Sequence, residues 1–174
     1  MASDTVIRDL RPDDVEAVVG IAAVAWAPAF SFRRRMLGDD LFAAAYANWN
    51  KEAKARQVRT ACEPGNHAMV CVAEKQGRVV GFTTFYATHA SRLGEVGNNA
   101  VHPDFQGLGI GPQMYKYVLA RLRGLGMRFV KVSTEGDPAH ASARKAYEKV
   151  GFSIQVPRIE YYLELRDTND LGEE

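Results

Sequence analysis

One stretch restricts the folds open to this 174-residue chain more than any other: Val101-His102-Pro103-Asp104-Phe105-Gln106-Gly107-Leu108-Gly109-Ile110-Gly111-Pro112. An apolar run ending in Ala100-Val101 stops at a proline, a glycine-rich turn follows, and a helix then begins with Met114, Val118, Leu122 and Leu125 on one face. A strand, a glycine turn and a helix in that order leave free backbone N–H groups at the helix N-terminus. There an anion is held by hydrogen bonds and by the helix dipole. Gly107, Gly109 and Gly111 allow a ligand to approach the backbone where a Cβ would block it. The stretch therefore reads as a phosphate or pyrophosphate turn within an α/β fold. It is not a nucleoside-triphosphate loop, because no Gly-Lys-Ser/Thr follows. A dinucleotide-binding turn also fits poorly, since a three-strand meander precedes it and no acidic residue ends the next strand at the usual distance. Pro112 has no N–H to give such a ligand.

The remaining chain supplies a mixed set of elements. A strand is predicted over 5–10, and Arg11-Pro12-Asp13-Asp14 opens a helix that runs to about Trp26 and stops near Pro28. A loop or short helix follows over 30–38. One long helix is expected from Asp39 or Asp40 to about Ala61, with Phe42, Tyr46, Trp49 and Ala53 on one face. The pattern then changes to strands over 68–74, 79–86 and 92–101, with Gln76-Gly77 as a hairpin turn. The helix of the glycine turn covers 112–123, a buried-looking strand 129–133, and a further helix 139–150 with Gly151 as its stop. Residues 152–156 and 159–165 read as a closing strand pair. The reading is a single domain over 1–166 with a polar tail over 167–174.

Composition narrows the function. A net charge of +1 argues against a nucleic-acid binder. Cys62 and Cys71 have neither CxxC nor metal-ligand spacing, so two reduced thiols and no metal are expected. No apolar run is read as long enough to span a membrane. The apolar stretch 18–30 follows Asp9, Asp13, Asp14 and Glu16 where a leader would be basic, so it reads as a core helix of a cytoplasmic protein.

Two motifs together resemble the GNAT superfamily of acetyl-CoA-dependent N-acetyltransferases. Gln106-Gly107-Leu108-Gly109-Ile110-Gly111 resembles the family's (Arg/Gln)-x-x-Gly-x-(Gly/Ala) signature. Ala143-Arg144-Lys145-Ala146-Tyr147-Glu148-Lys149-Val150-Gly151-Phe152 is similar to its A-x-x-x-Y-E-K-x-G-F helix and strand start. The resemblance implies an α/β fold: a central, mostly antiparallel sheet, splayed between the strand ending at Val101 and that ending near Ser133, with helices on both faces. It implies acetyl-CoA in the splay, its pantetheine arm along Asn99, Ala100 and Val101, its pyrophosphate on Gln106, Gly107, Leu108, Gly109, Ile110, Gly111 and Gln113. His140 stands where many relatives have an asparagine, and it either takes that cofactor contact or caps the helix.

Acetylating an amine requires removing its proton, stabilising the oxyanion and stabilising or protonating the departing thiolate. Tyr147 matches the family's tyrosine near the thioester sulfur; its alternative role is packing beside Ala143 and Val150. Glu95 is the first choice for the base, against a surface glutamate paired with Arg92; Glu135, Asp137 and His140 form a second group. Asn98 reads as a water or acceptor contact, with a structural hydrogen bond as the alternative. Trp26, Phe30, Phe32, Arg33 and Tyr86 are the residues offered for the acceptor, in competition with core or dimer packing. The expected activity is transfer of acetyl to a primary amine of a small molecule by direct attack in a ternary complex, with no nucleic-acid or membrane partner and room for a homodimer. A protein N-terminus or lysine as acceptor is the alternative within the enzyme class. A non-catalytic acyl-CoA-binding module is the alternative outside it.

Overall fold

The computed structural model describes residues 5–165; the expected tail over 167–174 lies outside the described residues. Strand β1 (Thr5–Asp9) leads through a 3-10 turn, Pro12–Asp14, into α1 (Val15–Ala25) and α2 (Ala27–Leu37). α1 ends just ahead of Pro28, as expected, and Pro28 itself lies in the first turn of α2, where its missing N–H costs nothing. The long helix expected from residue 39 is two helices, α3 (Asp39–Ala45) and α4 (Lys51–Ala61). The break has a local cause: the Asn50 side chain accepts from the Ala53 N–H at 2.8 Å and starts a new helix.

Strands β2 (Met69–Lys75), β3 (Arg78–Thr88) and β4 (Leu93–Val101) follow, then α5 (Ile110–Gly124), β5 (Phe129–Val132) and α6 (Ala141–Lys149). The five strands lie in sequence order in one sheet. β1 to β4 are antiparallel neighbours, while β5 joins β4 in parallel. Helices pack on both faces. Val18, Ile21, Ala22 and Val58 of α1 and α4 meet Val72 and Phe82 on one face. Tyr115, Val118 and Leu122 of α5 and Tyr147 of α6 meet Phe85 and Val96 on the other.

Two expectations at the C-terminal side fail. β5 is an edge strand whose Phe129 is 58% exposed, not a buried one. The closing strand pair does not form: residues 152–165 are without secondary structure, and Ile154, Val156, Ile159, Tyr161, Leu163 and Leu165 are exposed. The segment is held instead by Tyr162, whose hydroxyl lies 2.9 Å from that of Tyr46. The stretch Pro12–Leu37 is also, by length and composition alone, apolar enough to cross a membrane, contrary to the sequence reading. In the fold its chain is interrupted at Trp26, and Val18, Ile21, Ala22 and Ala29 are buried in the protein.

Candidate active site

The site begins where β4 and β5 part. The parallel ladder pairs Leu93 with Phe129, Gly94 with Val130, Glu95 with Lys131 and Val96 with Val132, then ends. β4 runs on to Val101 with β3 its one strand neighbour among the described residues, which is the splay the motifs imply. Just past the last pair, β4 is bulged: Val96 faces Phe85 and Asn99 faces Thr83, so Thr84 opposes both Gly97 and Asn98. Gly97 is required here. A Cβ at this position would lie 2.6 Å from Thr84 Oγ1 and 2.9 Å from the Tyr86 ring.

Neighbouring side chains on the strand point to opposite faces. Asn99 points toward α5 and α6, where its Oδ1 accepts from the Tyr115 hydroxyl at 2.6 Å and its Nδ2 donates to the Tyr147 oxygen at 3.2 Å. The same Nδ2 donates to the Gly97 carbonyl at 2.9 Å, tying the network to the bulge. Tyr115 and Tyr147 are buried, with ring centroids 5.0 Å apart. Burial pushes both phenols above their ordinary range. Tyr147 therefore stays protonated at neutral pH and is equipped to donate.

Asn98 points to the other helical layer. There its Oδ1 accepts from Lys54 Nζ at 3.1 Å, and that ammonium lies 5.0 Å from the centre of the Trp26 ring. Burial lowers the Lys54 pKa. Neither Lys54 nor Tyr115 was singled out from sequence. Lys54 had a signal: it lies one turn before Val58 and two before Ala61, the buried positions of α4, so it is a lysine on an apolar face.

The other candidates divide. Glu95 is half-exposed and ion-paired to Lys131 at 3.0 Å; Arg92, the partner considered from sequence, instead donates to the Gly126 carbonyl. Arg33 is already engaged, 3.1 Å from Glu135 and 3.6 Å from Glu160, with its guanidinium donating to the Tyr46 hydroxyl at 2.7 Å. Phe30 packs edge-on against Trp49 at 4.5 Å, and Phe32 lies under Arg35. Tyr86 lies beside the bulge. His140 is the N-cap residue of α6, but its side chain makes no cap bond: its Nδ1 is 2.9 Å from Asp137 Oδ1, and Asp137 also accepts from the His140 N–H. Burial works against the Asp137 carboxylate, but the His140 bonds outweigh it and hold its pKa below the usual range.

At the far end of β4, the Gln106 side chain donates to the Val101 carbonyl at 3.1 Å and fixes the glycine turn on the strand. Gly107 and Gly109 have φ of +78° and +74°, the region glycine enters without strain. Gly109 is the N-cap of α5, so Ile110 and Gly111 are its first two residues. The free N–H groups of such a helix start are those of Gly109, Ile110 and Gly111, while Pro112 has none. Gln113 stands at the fourth helical position, where the helix's own ladder begins. The turn thus offers three donors upstream of the gap at Pro112. A phosphate fits this set of N–H groups, and an extended amide-bearing chain fits the β4 edge over 97–101.

Residues 34–152 match the model of the acetyltransferase (GNAT) family. The chain belongs to the GNAT family. Among similar proteins is a mycothiol acetyltransferase of Thermomonospora curvata, 32% identical over 111 residues that make up 64% of this chain and 35% of that protein. Another from Sanguibacter keddieii is 31% identical over 142 residues, 73% of this chain and 44% of that protein. This GNAT chain therefore spans less than half the length of the curated relatives it matches. The fold is also that of the PaiA N-acetyltransferase of Thermoplasma acidophilum, solved in complex with coenzyme A, with a TM-score of 0.63 at 14% identity, covering 87% of this chain and 91% of that one.

Proposed function

We propose that this GNAT chain is an acetyl-CoA-dependent N-acetyltransferase that acetylates a primary amine of a small molecule by direct attack in a ternary complex. The observation that carries the reading is the opening of the β4–β5 ladder directly beside the Asn99–Tyr147 pair, on the strand that ends in the glycine turn. A donor laid along β4 has its phosphates on Gly109, Ile110 and Gly111 and its thioester end toward the bulge. The donor supplies an activated acetyl group; the protein holds it, excludes water and manages protons. Tyr147, buried and protonated, donates to the departing sulfur. Glu95 receives the amine proton, through water, once Lys131 gives up the carboxylate. Small-molecule acceptors are supported by the names of the mycothiol acetyltransferase relatives. A homodimer is supported by the apolar residues left exposed between Ile154 and Leu165, which a second copy would cover.

The test is release of free CoA thiol from acetyl-CoA across a panel of small amines, peptides with free N-termini and lysine peptides. Turnover with a small amine supports the reading. Turnover with peptides alone moves the acceptor to protein, and CoA binding without turnover on any amine makes the chain a binding module.

A further inference from the structure

Trp26 and Asn98, two residues offered by the sequence for the acceptor, are brought together around an amine that belongs to the protein itself. Lys54 Nζ donates to Asn98 Oδ1 at 3.1 Å and to Gln57 Oε1 at 2.8 Å, and stands over the Trp26 ring. Asn98 is part of the bulge, next in sequence to the Asn99 that holds Tyr147, at the point where the sheet opens. We propose that Lys54 is a tethered acceptor: with no other amine present, its Nζ takes the acetyl group of acetyl-CoA within the same chain and becomes Nε-acetyllysine.

This rests on the acetyltransferase reading and goes beyond it by naming a modification site. The lone pair of neutral Nζ forms the C–N bond to the thioester carbonyl carbon. The C–S bond breaks, its electrons leave on sulfur, and the proton lost by nitrogen ends on that sulfur. The products are an amide and free CoA thiol, and no further reactant is needed. Two features single out Lys54. Among the described residues, the partners that its ammonium meets are two amide oxygens and an aromatic ring, none of them an anion that would hold the proton in place. Burial favours the neutral, nucleophilic amine. Lys51 and Lys131, by contrast, are exposed and face Glu52 and Glu95.

The experiment incubates the full chain with acetyl-CoA and no added amine, and follows each lysine by peptide mass spectrometry. Lys54 is expected to gain one acetyl group about tenfold or more faster than Lys51 or Lys131, the advantage of an amine already held beside the opening of the sheet. The first-order rate should not depend on protein concentration. Lys54→Arg, which keeps the charge and a donor to Asn98, should abolish that signal without unfolding the protein. Equal labelling of the three lysines, or a rate that rises with protein concentration, overturns the proposal. An unmodified Lys54 in a preparation that acetylates an added amine overturns it and leaves the enzyme reading intact. Acetylation of no amine at all overturns both.

Discussion

Replacing Tyr147 by phenylalanine separates a chemical role from a packing role, because the local network states what the hydroxyl contributes to each. The oxygen accepts from Asn99 Nδ2 at 3.2 Å. Without it, Nδ2 still donates to the Gly97 carbonyl at 2.9 Å and Oδ1 still accepts from Tyr115 at 2.6 Å, so the removed oxygen orphans no polar group. The ring keeps its contacts with Tyr115 and Phe152. The stability cost is therefore that of one ordinary hydrogen bond, about 0.5–1.5 kcal/mol, which for a chain this size is roughly 1–6 °C in Tm. If the phenol protonates the leaving sulfur, kcat should fall about 10²–10⁴-fold, with the KM for acetyl-CoA little changed. The assay is steady-state CoA release with thermal melts on the same samples. Tyr115→Phe is the control: it strips Asn99 of the shorter bond, so it should cost at least as much stability and much less rate. A Tyr147→Phe enzyme within twofold of the parent in kcat would refute the acid role and leave the tyrosine as packing.

Other outcomes follow from single features. Gly109→Val should weaken CoA binding by roughly tenfold or more, equivalent to about 1.4 kcal/mol, because the N-cap φ of +74° is strained for any side chain; calorimetry giving unchanged affinity contradicts the anion turn. Arg8 holds Asp14 by two bonds of 2.6 and 2.9 Å, and the Arg11 N–H adds a third, so Asp14 is kept below the ordinary carboxylate range. That stability is fully present above the ordinary range and is lost as pH falls through the lower, folded value. Asp14→Asn should cost about 1.5–3 kcal/mol at neutral pH and converge with the parent in strong acid; melts showing the same gap at every pH refute this. Cys71 is fully buried and its thiol is pushed up to about 12, so a thiol reagent at neutral pH should reach it only after denaturant is added.

What the sequence disclosed depended on how local its cause was. The hairpin at Gln76-Gly77, the acidic start at Pro12–Asp14 and the glycine turn each act within a few residues, and all appear in the fold. The break between α3 and α4 was hidden because Phe42, Tyr46 and Trp49 keep helical spacing across it. They cluster in space whether the helix continues or not. Residues 152–165 alternate as a strand does, but a strand needs a partner, and pairing is not written in alternation. Lys131 as the neighbour of Glu95 follows only from the parallel register of two strands far apart in sequence. Lys54 is legible as a lysine one turn before the buried Val58, but its approach to Asn98 joins two elements far apart in sequence.

The side chains at the open edge of β4 are all spoken for by the protein. Asn99 binds the two tyrosines, Ala100 packs under α1 and Val101 packs against Ile110 and Met114. A ligand lying along this edge meets main chain alone, and main chain is the same whatever the residue. Side chains at these three positions then answer to the fold and carry almost no imprint of such a ligand. A strand of this kind is mute about its own function, and its neighbours, the glycines after it and the tyrosine across from it, have to identify it.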